Sequence, residues 1–155
     1  MGRRLKQAAI VLVVVFAAAQ LVRPERTNPT TDPSRTIRAH VADTSQLPAV
    51  LDRACGDCHS NNTVWPSYAR VAPLSWVLAR AVAEGRSAVN YSEWGAYSPG
   101  QQRTLLAASC DDAKTGRMPG GAWMLLHPEA RLSSQDIETI CAASRRVETN
   151  AAEQR

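Results

Sequence analysis

No stretch of this 155-residue chain alternates apolar and polar residues with period two, and no segment repeats, which excludes a sheet-built fold and a solenoid. Excess charge is also missing from most of the chain. Residues 1–26 hold five of the 18 Lys and Arg and one of the 14 Asp and Glu, so 13 of each sign remain in the other residues. The formal +4 is therefore confined to the start, and a nucleic-acid-binding reading has no basic surface to rest on. Carboxylates suited to paired acid/base work are lacking as well. Glu84, Glu93 and Glu129 are scattered, and structural roles are expected for them.

The chain begins with Arg3, Arg4 and Lys6, followed by a run from Ala8 to Val22 that is uncharged and broken only by Gln20. This is the pattern of an export signal, and residues 1–22 are read as a signal anchor or a signal peptide. A helix of 15 residues reaches roughly 22 Å, short of the ~30 Å hydrocarbon core, although a span of about 17 residues is tolerated when flanking arginines snorkel. Ala17-Ala18-Ala19 offers a small-residue cleavage site. Retention would leave the basic residues in the cytoplasm and the remainder in the periplasm, anchored to the inner membrane. Residues 23–45, punctuated by Pro24, Pro29 and Pro33, read as a polar tether, residues 46–147 as one domain, and residues 148–155 as a polar tail.

Within the domain the apolar periodicity is helical. Pro48 to Cys58 places Val50, Leu51, Ala54, Cys55 and Cys58 on one side of a first helix. A second begins near Pro73 with the stripe Leu74, Val77, Leu78, Ala81 and Val82, and Gly85 weakens its continuation. Ser98-Pro99 opens a third with Leu105, Leu106, Cys110 and Ala113 inside and Gly116 as its stop. Ser133 and Asp136 form a capping box for a fourth, whose inner face is Ile137, Ile140, Cys141 and Ser144. The expected fold is all-α.

Cys55-Gly56-Asp57-Cys58-His59 is the C-x-x-C-H signature of c-type haem attachment. With four Cys and three His, a chance occurrence is expected on the order of once in several hundred such chains. On a helical turn the two thiols share a face and reach both haem vinyl groups, while the following imidazole turns toward the iron. A thioredoxin-like redox pair has the same C-x-x-C spacing but needs a strand before it. A zinc site recruiting Cys110 and Cys141 lacks paired-knuckle spacing. Met118, in the loop Gly116-Arg117-Met118-Pro119-Gly120-Gly121, is the candidate second axial ligand, since a thioether favours reduced iron. Met124, His127, His40 or an open position are the alternatives. Trp65, Trp76, Trp94 and Trp123 are expected to wall the haem pocket.

The order of C-x-x-C-H helix, intervening helix, Met-Pro loop and closing helix resembles the class I cytochromes c. Cys58-His59-Ser60-Asn61-Asn62-Thr63, Ala72-Pro73-Leu74-Ser75-Trp76, Glu84-Gly85-Arg86, Asn90-Tyr91-Ser92-Glu93-Trp94 and Leu126-His127-Pro128-Glu129 are similar, more closely, to the bacterial haem-binding-domain family. That resemblance implies an exported monohaem protein with one covalently attached haem c, held at Cys55 and Cys58 and ligated by His59. The expected role is single-electron transfer to an unidentified redox protein, without substrate turnover. A haem-based sensor or small-ligand-binding module is the alternative, and a peroxidase is disfavoured because no second C-x-x-C-H stores another oxidising equivalent. With Cys55 and Cys58 taken by haem, Cys110 and Cys141 are the remaining thiols in an oxidising compartment. Both face inward at helical spacing, and a disulfide is expected.

Overall fold

The computed structural model describes residues 2–41 and 46–153; the expected boundary between tether and domain falls in residues 42–45, outside the described residues. Every regular element is helical. Helix α1 (Arg3–Ala19) buries none of its residues. Among the described residues no helix is long and apolar enough to cross a membrane. The expected run to Val22 is cut short because the chain leaves the helix at Gln20, whose side chain turns to the domain: its Nε2 donates to the Ala72 carbonyl at 3.4 Å, and its Oε1 accepts from the Ala72 N–H at 2.9 Å.

The segment expected to be a free tether is a strap. Its turn chemistry is present, with the Asp32 carboxylate accepting from the Ser34 N–H to open a 3₁₀ turn at Pro33–Arg35. Its path, however, is fastened along the domain. The Trp76 indole N–H donates to the Val22 carbonyl at 2.8 Å, and Arg26 donates to the Ala69 carbonyl at 2.6 Å. Asn28 donates to the Thr63 carbonyl at 2.9 Å, Arg35 pairs with Glu93 at 2.8 Å, and Ile37 is buried in the core.

Helix α2 (Leu47–Ala54) and helix α3 (Gly56–His59) replace the single first helix expected, because Cys55 leaves helical geometry at φ −124° and ψ −26°. Helix α4 (Leu74–Ala88) runs through Gly85 without ending there. Its buried face is Ser75, Leu78, Val82 and Gly85, whereas Leu74 and Val77, expected inside, are exposed. Helix α5 (Pro99–Thr115) starts on a reciprocal capping box between Ser98 and Gln101 and stops at Gly116, whose φ of 68° is the left-handed conformation glycine tolerates. Helix α6 (Gly121–Leu126) begins at the last glycine of the expected loop and is not among the four helices expected. Helix α7 (Ser134–Glu153) opens on Ser133 and Asp136, the side chain of each bonding the backbone N–H of the other, and its backbone stays helical through most of the expected polar tail.

Helix α5 packs along α7, and α3 packs on α4. Two hydrophobic clusters result. One gathers Leu47, Val50, Leu51, Trp94, Leu106 and Ile140, with Cys55 packed against it. The other gathers Ala69, Leu78 and Val82, with Cys58, Trp65, Tyr68 and Trp123 packed against it.

Cys110 of α5 and Cys141 of α7 stand 4.8 Å apart at Cα, with their sulfurs bonded at 2.01 Å. This closure spans 31 positions of sequence, so a double Cys110→Ala, Cys141→Ala variant should lose about 3 to 4 kcal/mol of stability through the freed unfolded chain. Denaturant titration of the haem-loaded protein and variant reads that loss. Thiol counting under denaturing, non-reducing conditions should find neither sulfur free, and two free thiols would refute the bond.

Candidate functional site

Between the two clusters lies a cavity of about 420 Å³ with a mostly apolar lining drawn from α2 to α7. Leu51 and Ile140 reach it from the first cluster and Leu78 and Trp123 from the second, so it separates two halves of one core. Cys55, Cys58 and His59 line one part of it; Met118, Pro119 and Gly120 line another.

The C-x-x-C-H turn is held by its own backbone. The Cys55 carbonyl accepts from the N–H groups of Cys58 at 3.1 Å and His59 at 2.9 Å, which places both thiols and the imidazole at the cavity. His59 Nδ1 lies 3.1 Å from the Val89 carbonyl. A carbonyl only accepts, so Nδ1 is the nitrogen that carries a proton there, and Nε2 is the one left to a metal. This is the tautomer and support a metal-ligating histidine requires.

The chain leaving His59 is tied down by a polar network. Arg86 donates to the Ser60 carbonyl and to the Thr63 hydroxyl, each at 2.8 Å. Buried Asn61 accepts from Asn90 Nδ2 at 2.7 Å and donates to Glu93 at 3.2 Å, while its N–H meets the Ser92 hydroxyl at 3.0 Å. Gly85 lets α4 approach closely enough that a Cβ there would fall 2.4 Å from the Cys58 carbonyl oxygen.

Neither thiol has the electropositive, thiolate-favouring surroundings of a redox nucleophile. Burial, with a smaller contribution from Cys58, pushes Cys55 up to about 12, and burial together with Asp57 raises Cys58 as well. Reactive C-x-x-C pairs depress the thiol instead, and no strand precedes the motif among the described residues. A four-cysteine zinc site is likewise unsupported. Cys110 and Cys141 are bonded to each other, and no cluster of three or more His, Cys, Asp or Glu suited to a metal occurs among the described residues.

Of the four candidates for the second axial position, only Met118 lines the cavity. Its side chain is half exposed on a loop held by Arg117, whose guanidinium contacts Asp111 and Asp112 at 2.7 Å, while the Arg117 and Met118 N–H groups both donate to the Asp112 carbonyl. His127 has both ring nitrogens engaged: Nε2 with the Tyr68 hydroxyl at 2.7 Å, and Nδ1 with Glu129 at 3.0 Å. It also stacks on Trp123 at a centroid distance of 3.7 Å. His40 bonds the Thr36 carbonyl and rests against Gly95.

The tryptophans divide differently from expectation. Trp123 lines the cavity, Trp65 and Trp94 pack in the clusters behind it, and Trp76 lies outside, bonded to the strap. The scattered glutamates hold structure. Glu84 pairs with Arg80, Glu93 with Arg35, and Glu129 with His127. The Val89 carbonyl and Tyr91, whose hydroxyl meets Ser109 and whose ionisation burial strongly opposes, were not foreseen. A backbone carbonyl carries no residue-type signal, and Tyr91 entered the reading only within the family-like stretch Asn90-Tyr91-Ser92-Glu93-Trp94, with no role of its own.

The model of a family described as a haem-binding domain matches residues 14–145 of the chain. No curated protein and no solved structure matches it.

Proposed function

This chain belongs to the haem-binding-domain family, and from that premise we propose that it carries one c-type haem and passes single electrons to a redox protein outside the cytoplasm. The residues fit the group. Two unpaired thiols and a free imidazole nitrogen line an apolar cavity of about 420 Å³. Cys55 and Cys58 would hold the porphyrin through thioethers, and His59 Nε2 and the Met118 sulfur would be the iron ligands. Bound there, the haem iron supplies a one-electron couple whose potential the axial ligands set.

The observation that carries this reading is the bond between His59 and the Val89 carbonyl. It orients the imidazole and makes it a stronger donor, while Trp123, Leu51 and Ile140 give the cavity it enters an apolar lining. The carboxylates that line the cavity are each engaged elsewhere, Asp57 by the Val64 N–H, Glu84 by Arg80 and Asp112 by Arg117, which supports a carrier role.

Half-exposed Met118 supports a second reading, a ligand-binding sensor with an accessible sixth position. One experiment separates the two. If Met118 is the ligand, Met118→Ala lowers the midpoint potential by on the order of 100 mV, within the ~0.8 V range that axial ligands command, and the reduced variant binds carbon monoxide where the parent does not. A parent that binds carbon monoxide readily, or a variant with unchanged potential and spectrum, favours the sensor.

The basic start and the unburied apolar α1 support export with α1 retained in the inner membrane. The apolar part of α1, residues 8–19, reaches only about 18 Å, so retention would rely on Arg3, Arg4 and Lys6 snorkelling at its start. Fractionation should find the full-length chain in the membrane, released by detergent and not by salt. A soluble form beginning near Gln20 would show cleavage instead.

A further inference from the structure

Helix α4 begins with an unusual surface. A helix packed sideways on a core shows apolar residues on one face and polar residues on the others. Around the first turn of α4 only Ser75 points inward; Leu74, Trp76 and Val77 are all exposed, in three different directions, and Val71 just ahead of the turn is exposed too. Large apolar side chains displayed on every side of a helix end suit immersion of that end in an apolar medium.

The end of α1 sits against this surface. Gln20 is bonded through both side-chain polar atoms to Ala72, and Trp76 is bonded to Val22. Leu21 and Val22 are 83% and 63% exposed and extend the same apolar surface toward α1. Arg23 and Arg70 line an indentation with Gln20, Val22 and Ala72, and neither forms an ion pair among the described residues. A rim of exposed apolar groups, an indole and unpaired arginines has the composition of a bilayer interface contact, where indoles and guanidinium groups meet anionic headgroups.

We propose that the first turn of α4, with Val71, Leu21 and Val22, is a docking face that seats the haem domain directly on the lipid surface that holds α1. The inference rests on the membrane reading of α1 given above. The strap removes the slack a flexible tether would provide, so α1 and α4 enter the lipid together. The shortness of α1 acts in the same direction, because a short span draws its flanks toward the hydrocarbon. The cavity is then held at a fixed attitude to the membrane.

The test uses full-length, haem-loaded protein in vesicles of phosphatidylcholine and phosphatidylglycerol, with one nitroxide label at a time on Val13→Cys, Leu74→Cys, Val71→Cys or Ala107→Cys. Ala107, exposed on α5, is the aqueous control. Power saturation with oxygen and with a water-soluble nickel chelate reads lipid against water contact. Positions 13, 71 and 74 should each show an oxygen-to-nickel accessibility ratio several-fold above position 107. A high ratio at 13 with 71 or 74 matching 107 overturns the docking face and leaves the membrane anchor standing. A ratio at 13 matching 107 overturns the anchor, and the docking face with it.

Discussion

Replacing Cys55 and Cys58 together by alanine should remove the haem-stained band from a denaturing gel entirely. Cys55 and Cys58 are the only free cysteines, and both line the cavity. No other thiol can substitute, because Cys110 and Cys141 are joined to each other between α5 and α7. A band of unchanged intensity would sink the covalent reading. His59→Ala tests the neighbouring claim by a different readout. The thiols remain, so some haem stays attached, but its spectrum should show a misligated iron once the imidazole held on the Val89 carbonyl is gone.

Gly85→Ala should be the most damaging change made without touching a thiol or a proposed iron ligand. In an exposed helix interior, glycine to alanine stabilises by about 1 kcal/mol, so propensity alone argues for a gain. Here the new Cβ would lie 2.4 Å from the Cys58 carbonyl oxygen, 3.0 Å from its carbon and 3.1 Å from its Cβ. Two of those atoms are backbone, and no rotamer change relieves the overlap. Helices α3 and α4 must separate, at a net cost of about 1 to 3 kcal/mol. The separation also moves the Cys58 sulfur and His59, so the variant should show reduced haem incorporation as well as a lower denaturation midpoint. Gly121→Ala is the control. A Cβ at Gly121 meets nothing within 4 Å, and that variant should be neutral or slightly stabilised. Equal behaviour of the two variants would mean that the close approach of α4 to the attachment turn is unimportant.

What could be read from residue order was chiefly what local chemistry decides. The C-x-x-C-H turn, the Ser98 and Ser133 caps and the Gly116 stop depend on residues within a few positions of one another, and the structure realises each. The inward face of α4 was misassigned because Leu74 and Val77 count as core in any hydrophobic pattern, while Ser75 and Gly85, which the packing buries, do not. The break at Cys55 left no mark in a stretch of uninterrupted helical periodicity. Helix α6 went unread because it is only six residues long and opens on Gly121, the last glycine of the expected loop. The strap was invisible for another reason: Arg26, Asn28 and Trp76 bond to backbone carbonyls 35 to 54 positions away, and a carbonyl is the same at every residue. His127 is intermediate. It stood among the alternative axial ligands, and the partners that hold it instead, Tyr68 and Trp123, come from other segments.

The divided interior bears on the lifetime of the protein. Cys55 packs with one hydrophobic cluster and Cys58 with the other, so a group bonded to both sulfurs rivets together two parcels of apolar surface that otherwise face each other across a gap. A group held by thioethers would stay with the unfolded chain as well, so its contribution to stability would come from the apolar surface it buries and the iron ligation it gains on folding. On the proposed attachment at Cys55 and Cys58, a chain that has received haem should resist opening, while a chain that has not should open more often and expose its segments to cleavage. Proteolysis in the receiving compartment would therefore discriminate finished molecules from unfinished ones without any dedicated recognition signal, because the distinction is built into how the interior is closed.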